Sequence, residues 1–240
     1  MSKSKQKNGK STSATGRSTN QQLTAVVVCF LLSGFAAVLY QTAWLKTLGI
    51  VFGTSHVAVA PGLAADMAGL AVGAAIAARM VRLIKRPVYV YGVLEAVIGI
   101  SALLVPLLLV FAQQLLAILY GNQPNPVSSD SLGQNTYYLL VTFVVLAIPT
   151  CAMGATLPLL SRYAVNEDAQ VGPRIGLLYG VNTIGAVFGA LTAGFLLLPE
   201  FGLMRTLAIG AAVNLICLLY TSDAADDTPC VDLGGRGIIK

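Results

Sequence analysis

The chain has 240 residues, of which 56% are hydrophobic and only 10% are charged. An ordinary soluble domain carries roughly 25% charged residues, so this composition excludes a water-soluble catalytic fold. The net charge of +5 does not indicate nucleic-acid binding, because the basic residues stand at the ends of apolar segments and not on one face with aromatic residues.

The first segment, residues 1–22, is rich in Ser, Thr, Lys and Gln and has almost no apolar side chains. Such a segment cannot bury enough surface to fold, which predicts a disordered, basic cytoplasmic tail. It lacks the early apolar core and the small-residue cleavage site of a secretory signal peptide. We therefore expect the first apolar run to be a retained helix.

Six apolar stretches follow, each near the roughly 20 residues that a helix needs to cross about 30 Å of hydrocarbon. Bends are expected at Pro106 in the third stretch and at Pro149 and Pro158 in the fourth, and a Gly-, Pro- and Asn-rich run at 120–135 predicts an exposed loop. The composition and spacing predict an all-α, polytopic membrane helix bundle over residues 23–220, followed by a polar tail at 221–240. The predicted spans are 23–45, 54–78, 88–119, 136–162, 174–198 and 203–220.

The orientation follows from the Lys and Arg residues in the connections, because positive charge is retained on the cytoplasmic side. The N-terminal tail has five, the second connection four and the fourth connection two, whereas the first, third and fifth connections have one, none and one. This bias predicts that both ends of the six-helix block face the cytoplasm. We expect a multi-pass protein of the plasma (inner) membrane whose immediate partner is the lipid bilayer.

Small residues recur four positions apart, which puts them on one helix face where two backbones can approach closely. The pattern predicts tight packing of the second and fifth helices. The pairs are Gly69 with Gly73, Gly176 with Gly180, Gly185 with Gly189, and Ala190 with Gly194.

Two carboxylates, Glu95 and Asp66, lie inside apolar segments, where a charge costs a few kcal/mol on insertion scales. Either one could be the counter-ion of a cation or a proton-relay group. The structural alternatives are that they are protonated or hydrogen-bonded to neighbouring helices, or that Glu95 reaches toward Arg82 or Lys85 at the membrane surface.

Uncharged polar side chains also occur within the spans, either lining a cavity or forming interhelical hydrogen bonds of roughly 0.6 kcal/mol. The candidate intramembrane polar site combines Glu95, Asp66, Gln41 and Asn182. The further polar residues are Tyr40, Trp44, Thr156 and Thr183.

The sequence has no Gly-rich phosphate loop, dinucleotide fingerprint or nucleophile elbow, so it predicts no catalytic residue and no cofactor. The single histidine, His56, stands at the outer end of the second span and is expected to be exposed. The cysteines have no paired ligand spacing, which predicts neither a metal site nor a disulfide. They are Cys29, Cys151, Cys217 and Cys230.

Several motifs in this chain resemble the membrane domain of the fused spermidine synthase-like proteins, in which a multi-helix part precedes a soluble aminopropyltransferase-like domain. The resemblance implies an anchoring or polyamine-related role, with a polyamine or another cation as partner, and a catalytic domain that this fragment lacks. It departs from the family pattern at Asp66 and at Ala60-Pro-Gly62. The matching runs are Leu32-Ser-Gly-Phe-Ala-Ala-Val-Leu-Tyr-Gln41 with Trp44, Met67-Ala-Gly-Leu-Ala-Val-Gly73, Tyr91-Gly-Val-Leu-Glu95, Met153-Gly-Ala-Thr-Leu-Pro158, and Gly176 to Ala190 running on to Gly194.

The C-terminal run from Cys217 to Asp227, continued by Cys230 to Arg236, resembles translated sequencing-adapter read-through. That resemblance implies that residues from about 217 onward are not native. The alternative is a genuine short polar tail. A different reading of the whole chain is half of a transporter resembling the major facilitator proteins, whose halves also have six helices with both ends inside.

The predicted topology can be tested with reporter fusions. Fusions at Lys85 and Asn166 should read as cytoplasmic and a fusion at Ser129 as external, because these positions lie in connections of opposite sides. Alkaline phosphatase and fluorescent-protein reporters at each position provide the paired measurement. An external signal at Asn166 would contradict the six-helix count.

Overall fold

The computed structural model describes residues 11–52, 56–119, 132–164 and 171–226, with side chains described over 24–52, 59–119, 133–164 and 171–221. Within these ranges the chain is helical apart from a short connection at 84–86, which confirms the all-α class. The helices are α1 (Ser11–Phe52), α2 (His56–Met80), a short 3-10 turn (Val81–Leu83), α3 (Pro87–Leu119), α4 (Leu132–Ala164), α5 (Val171–Thr192) with a π-helical turn (Ala193–Leu197), and α6 (Leu198–Asp226).

Five helical stretches of the described chain are long and apolar enough to cross a membrane. The first four correspond to the first four predicted spans, although α1 continues past the predicted end at residue 45. The fifth has 51 residues, which is about 77 Å of helix and more than twice the hydrocarbon thickness. The stretches are Thr24–Phe52, Val59–Leu83, Pro87–Leu119, Gly133–Ala164 and Val171–Thr221.

The fifth stretch is interrupted at Gly202, whose φ of 73° and ψ of 178° are not helical. L-residues rarely adopt this conformation, which glycine adopts without steric cost. Before this break, α5 runs along α1 in the same direction, since Gly185 lies against Leu31 and Gly189 against Phe35.

After the break, the chain runs back along α1. Gly210 lies against the ring of Tyr40, and Asn214 reaches Glu95, whose side chain is hydrogen-bonded to Ser33. Moving forward along α6 therefore means moving backward along α1. The two arms on either side of Gly202 correspond to the separately predicted segments 174–198 and 203–220.

Three helix ends extend into segments predicted to be irregular. Helix α4 begins at Leu132, inside the predicted exposed loop at 120–135, of which 120–131 lie outside the described residues. Helix α1 begins at Ser11, so residues 11–22 of the predicted tail are helical, and 1–10 lie outside the described residues. Once a helix is nucleated by its apolar part, adding polar turns costs little, because each added residue also gains a hydrogen bond. Helix α6 runs on to Asp226, past the predicted end at 220, and 227–240 lie outside the described residues.

The helices pack in a pattern that repeats between the first three and the last three, here called the first triple (α1–α3) and the second triple (α4–α6). Helix α2 packs on α4 as α5 packs on α1, and α3 packs on α4 as α6 packs on α1. Helices α3 and α6 pack on each other. Exchanging the triples therefore reproduces the most extensive helix contacts, as expected of a structural repeat, although α1 also packs on α3 and the corresponding α4–α6 pair has no comparable contact among the described residues.

Close glycine contacts form the α2–α4 and α1–α5 interfaces. A Cβ at Gly69 or Gly73 would overlap Thr150 or Cys151, and one at Gly185 would overlap the carbonyl oxygen of Leu31. The predicted tight packing of the second and fifth helices is confirmed at these glycines.

At three other glycines, the four-residue spacing does not correspond to a close helix contact. A Cβ at Gly176, Gly180 or Gly194 would have no neighbour within 4 Å. Gly176 and Gly194 are themselves exposed. A four-residue spacing defines a helix face, but it does not determine whether another helix covers that face.

Replacing a contact glycine should destabilise the bundle, whereas replacing an uncovered one should not. We expect Gly185→Ala to lower the free energy of unfolding by about 1–3 kcal/mol, because the added methyl group overlaps the α1 backbone. Gly176→Ala on the same helix is the matched control, and its open surroundings leave only the gain in helix propensity. Unfolding in mixed micelles measures both. Equal effects of the two substitutions would contradict the α1–α5 contact.

Candidate intramembrane site

Glu95 is fully buried on α3, at the interface with α1 and α6. The Ser33 hydroxyl of α1 donates a hydrogen bond of 2.6 Å to the Glu95 Oε1. The Asn214 amide of α6 donates one of 3.2 Å to the Glu95 main-chain oxygen. The side chain therefore faces the interior of the bundle and does not reach toward Arg82 or Lys85, so that alternative is wrong.

The position of Glu95 along its helix places it inside the apolar stretch. It follows the first residue of the stretch, Pro87, by eight positions, which corresponds to roughly 12 Å of helix. A carboxylate is almost never fully buried unless it is paired, and in hydrocarbon the cost of leaving it alone is larger still. The carboxyl group of Glu95 therefore requires hydrogen-bond or charge partners from within the bundle.

Two tyrosines extend the polar surroundings of Glu95. Tyr91 precedes Glu95 by one helical turn on the same face of α3, and Tyr40 lies on α1. Both side chains are fully buried, and both hydroxyls lie within electrostatic range of the Glu95 carboxyl group. We call Ser33, Tyr40, Tyr91, Glu95 and Asn214 the Glu95 cluster.

The cluster contains polar atoms that make no hydrogen bond. Within the described part of the chain, the Oδ1 of Asn214 and the hydroxyl of Tyr40 are buried without a hydrogen-bond partner, whereas the Tyr91 hydroxyl lies within hydrogen-bonding range of the Glu95 carboxyl group. Each such atom costs free energy in an apolar environment, because no water replaces the missing bond. Their concentration in one place distinguishes this cluster from the other polar contacts of the bundle.

Aromatic rings border the Glu95 cluster. Phe30 packs edge-on against Tyr91 with ring centroids 6.4 Å apart, and Tyr40 stacks on Trp44 at 5.7 Å. The Trp44 indole nitrogen donates a 3.4 Å hydrogen bond to the Ala102 carbonyl, which fixes α1 against α3. Of the two aromatic residues singled out from the sequence, Tyr40 thus joins the cluster and Trp44 connects helices.

The second predicted carboxylate, Asp66, lies elsewhere. It is 5% exposed on α2 and accepts a 2.9 Å hydrogen bond from the Gln41 amide of α1. Ser33, the partner of Glu95, precedes Gln41 by eight positions on α1, which is roughly 12 Å along the helix. The two carboxylates therefore have separate hydrogen-bond partners at two different levels.

Asn182 also stands apart from Glu95. Its amide donates a 3.0 Å hydrogen bond to the Phe30 carbonyl and so connects α5 to α1. The Thr183 hydroxyl bonds the Tyr179 carbonyl within its own helix. Among the four predicted site residues, the structure brings Asp66 and Gln41 together and leaves Glu95 and Asn182 in other contacts.

Three members of the Glu95 cluster were not predicted from the sequence. Ser33 and Tyr91 lie within the family-like runs, and Tyr91 has the four-residue spacing from Glu95 that defines a shared helix face. Asn214 is an isolated amide in an apolar stretch of α6, and that isolation is the signal that could have identified it.

Among the described residues, no group of three or more His, Cys, Asp or Glu side chains is arranged to hold a metal ion. The thiol of Cys217 contacts the Cys29 carbonyl at 3.5 Å, and both cysteines are buried. The side chain of His56 and the whole of Cys230 lie outside the described residues.

Comparison with known proteins gives one partial relative. The chain is 31% identical over 93 residues to a polyamine aminopropyltransferase from Corynebacterium efficiens. The matched region is 37% of this chain and 17% of the relative, so the relative is about twice as long. No family model and no solved structure matches the chain. This chain therefore combines a partial likeness to a polyamine aminopropyltransferase with five helical stretches that are apolar enough to cross a membrane.

The Ser33–Glu95 hydrogen bond can be tested by a double-mutant cycle. Ser33→Ala and Glu95→Leu should show a coupling of about 1 kcal/mol in the free energy of unfolding, because each removes the other's partner. Thr47→Val is the control, since its hydroxyl bonds Ala43 in the same helix and its effect should add to that of Glu95→Leu. Additive effects of Ser33→Ala and Glu95→Leu would contradict the contact.

Proposed function

We propose that this chain is the membrane module of a spermidine synthase-like fusion protein, lacking the catalytic domain in this fragment and serving an anchoring or polyamine-related role. The observation that carries the proposal is the likeness to a polyamine aminopropyltransferase in a chain with five long apolar helices. A relative about twice as long has room for a soluble domain beside such a module. The aminopropyltransferase activity itself is proposed for the longer protein.

In this proposal, the module crosses the plasma membrane six times over residues 23–220, and both of its ends lie on the cytoplasmic side. The break at Gly202 supports a sixth crossing, because a single 51-residue helix is too long for one. The Arg162 guanidinium donates to the Val81 carbonyl, so the basic ends of α2 and α4 lie together. Their common location agrees with the positive-inside distribution.

A polyamine-related role would explain why the carboxyl group of Glu95 is buried inside the bundle. Polyamines are cations, and a carboxylate held inside the bundle offers a negative charge that they can neutralise. The Glu95 cluster is therefore the position in this module where we expect a cation.

The second candidate function is half of a transporter resembling the major facilitator proteins. The repeated packing of the two triples favours it, because transporter folds are built from such repeats and bind substrate where the repeats meet. Glu95 and Asn214 come from different triples, as such a site requires. Uptake into vesicles that is unaffected by Glu95→Gln would remove this candidate.

The fusion itself is tested by recovering the gene beyond Leu215. We expect an open reading frame that continues into a synthase-like domain, and a frame without one would contradict the proposed module. The same continuation decides whether the residues from about 217 onward are native.

The polyamine-related role predicts stabilisation by the ligand. Putrescine or spermidine at 100 times its Kd should stabilise the detergent-purified chain by about 2.7 kcal/mol, because a ligand that binds only the folded state adds its binding free energy. Glu95→Gln should abolish the increase in melting temperature. Asp66→Asn provides the comparison at the other carboxylate. No effect of either polyamine on the parent chain would contradict the cation site, and an equal effect in Glu95→Gln would locate the site elsewhere.

A further inference from the structure

The Glu95 cluster holds a set of polar atoms that its own side chains leave incomplete. In the described part of the chain, its Asn214 Oδ1 and Tyr40 hydroxyl are buried without a hydrogen-bond partner, and the Glu95 carboxyl group faces the hydroxyls of Ser33 and Tyr91 with no basic side chain beside it. Other polar groups of the bundle, such as the hydroxyls of Thr142 and Thr150, bond the carbonyl one turn earlier in their own helix. An occupant that donates hydrogen bonds would complete the cluster.

The donors and acceptors restrict the chemistry of that occupant. The Asn214 nitrogen donates to the Glu95 carbonyl, so its Oδ1 is left as an acceptor. The Glu95 Oε2 is a second acceptor, and the hydroxyls of Tyr40 and Tyr91 can each accept as well as donate. A group with positive charge and three N–H donors matches this set, and a primary ammonium has these properties.

The surroundings favour an organic cation. Aromatic surface borders the cluster. It is formed by one ring contact between Phe30 and Tyr91 and by a second between Tyr40 and Trp44. Aromatic rings attract cations and also pack against methylene groups.

Resting on the polyamine-related function above, we propose that the Glu95 cluster binds one primary ammonium group of an aliphatic amine, with the charge supplied by Glu95 and a second acceptor by Asn214. Asn214 belongs to the second triple, whereas Ser33, Tyr40, Tyr91 and Glu95 belong to the first. Binding of the ammonium group therefore bridges the two triples at the α3–α6 contact. Because the cluster is fully buried, the amine enters when α6 separates from α1 and α3.

The number of N–H donors is tested on the parent chain, so this part does not depend on a variant that folds. The detergent-purified 240-residue chain is titrated with putrescine, with N,N,N′,N′-tetramethylputrescine and with sodium chloride at equal ionic strength, and its melting temperature is recorded. Putrescine should raise the melting temperature. The methylated diamine has the same charge but one N–H donor at each end, and it should need at least tenfold higher concentration for the same increase.

The role of Asn214 is tested by Asn214→Leu, which removes the acceptor while retaining the Glu95 charge. The putrescine concentration for half of the maximal increase should rise at least tenfold. Asn182→Leu is the matched control, because its amide also bonds a main-chain carbonyl but at the α1–α5 contact. Its putrescine dependence should equal that of the parent.

Each of the following outcomes would overturn the assignment. An equal increase in melting temperature with putrescine and the methylated diamine, or with sodium chloride, would show that binding does not depend on the number of N–H donors. An unchanged putrescine dependence in Asn214→Leu would exclude its oxygen from the site. If putrescine stabilises the parent and Glu95→Gln abolishes the effect while Asn214→Leu does not alter it, the proposed function survives and this inference fails. No response of the parent to any amine would end both.

Discussion

The constraint on which this structure depends is that hydrocarbon offers polar atoms no hydrogen-bond partner. The backbone meets it by forming helices, and most buried hydroxyls meet it locally. Thr47, Thr142 and Thr150 each donate to the carbonyl four residues earlier. Trp44 and Asn182 meet it by donating to the backbone of a neighbouring helix, which fixes α1 against α3 and α5. Against this background, the incomplete hydrogen bonding around Glu95 is a local exception.

Close glycine packing and polar contacts share the interfaces of the bundle. The α2–α4 and α1–α5 contacts bring glycines against the opposite backbone, where dispersion contacts hold the helices together. The α3–α6 contact also includes glycines: a Cβ at Gly92 would overlap the Thr221 hydroxyl, whereas one at Gly99 would meet Ala211 and Asn214 at ordinary van der Waals distances. The same contact carries Asn214 and Glu95. The polar cluster therefore lies where the two triples meet.

The sequence predicted the class and most of the helix positions, because long apolar runs separated by polar breaks have few other solutions in a membrane. It could not predict which faces are covered: Gly176 and Gly185 have the same four-residue spacing, yet only the latter of the two lies against another helix. The site was predicted in part for the same reason. Glu95 was identified from its cost in hydrocarbon, but its partners Ser33 and Asn214 depend on the packing of α1 and α6, which the periodicity of one helix does not specify.

The proposed site requires the Glu95 carboxylate to contact an ammonium group inside the bundle. Solid-state NMR can measure it directly, by dipolar recoupling between ¹⁵N-putrescine and ¹³C-labelled glutamate carboxyl groups in lipid bilayers. A charge-assisted N–H···O bond of about 2.7–2.9 Å predicts strong dephasing of one glutamate signal. That signal should be absent in Glu95→Gln. Binding of putrescine without dephasing of the Glu95 signal would contradict the account.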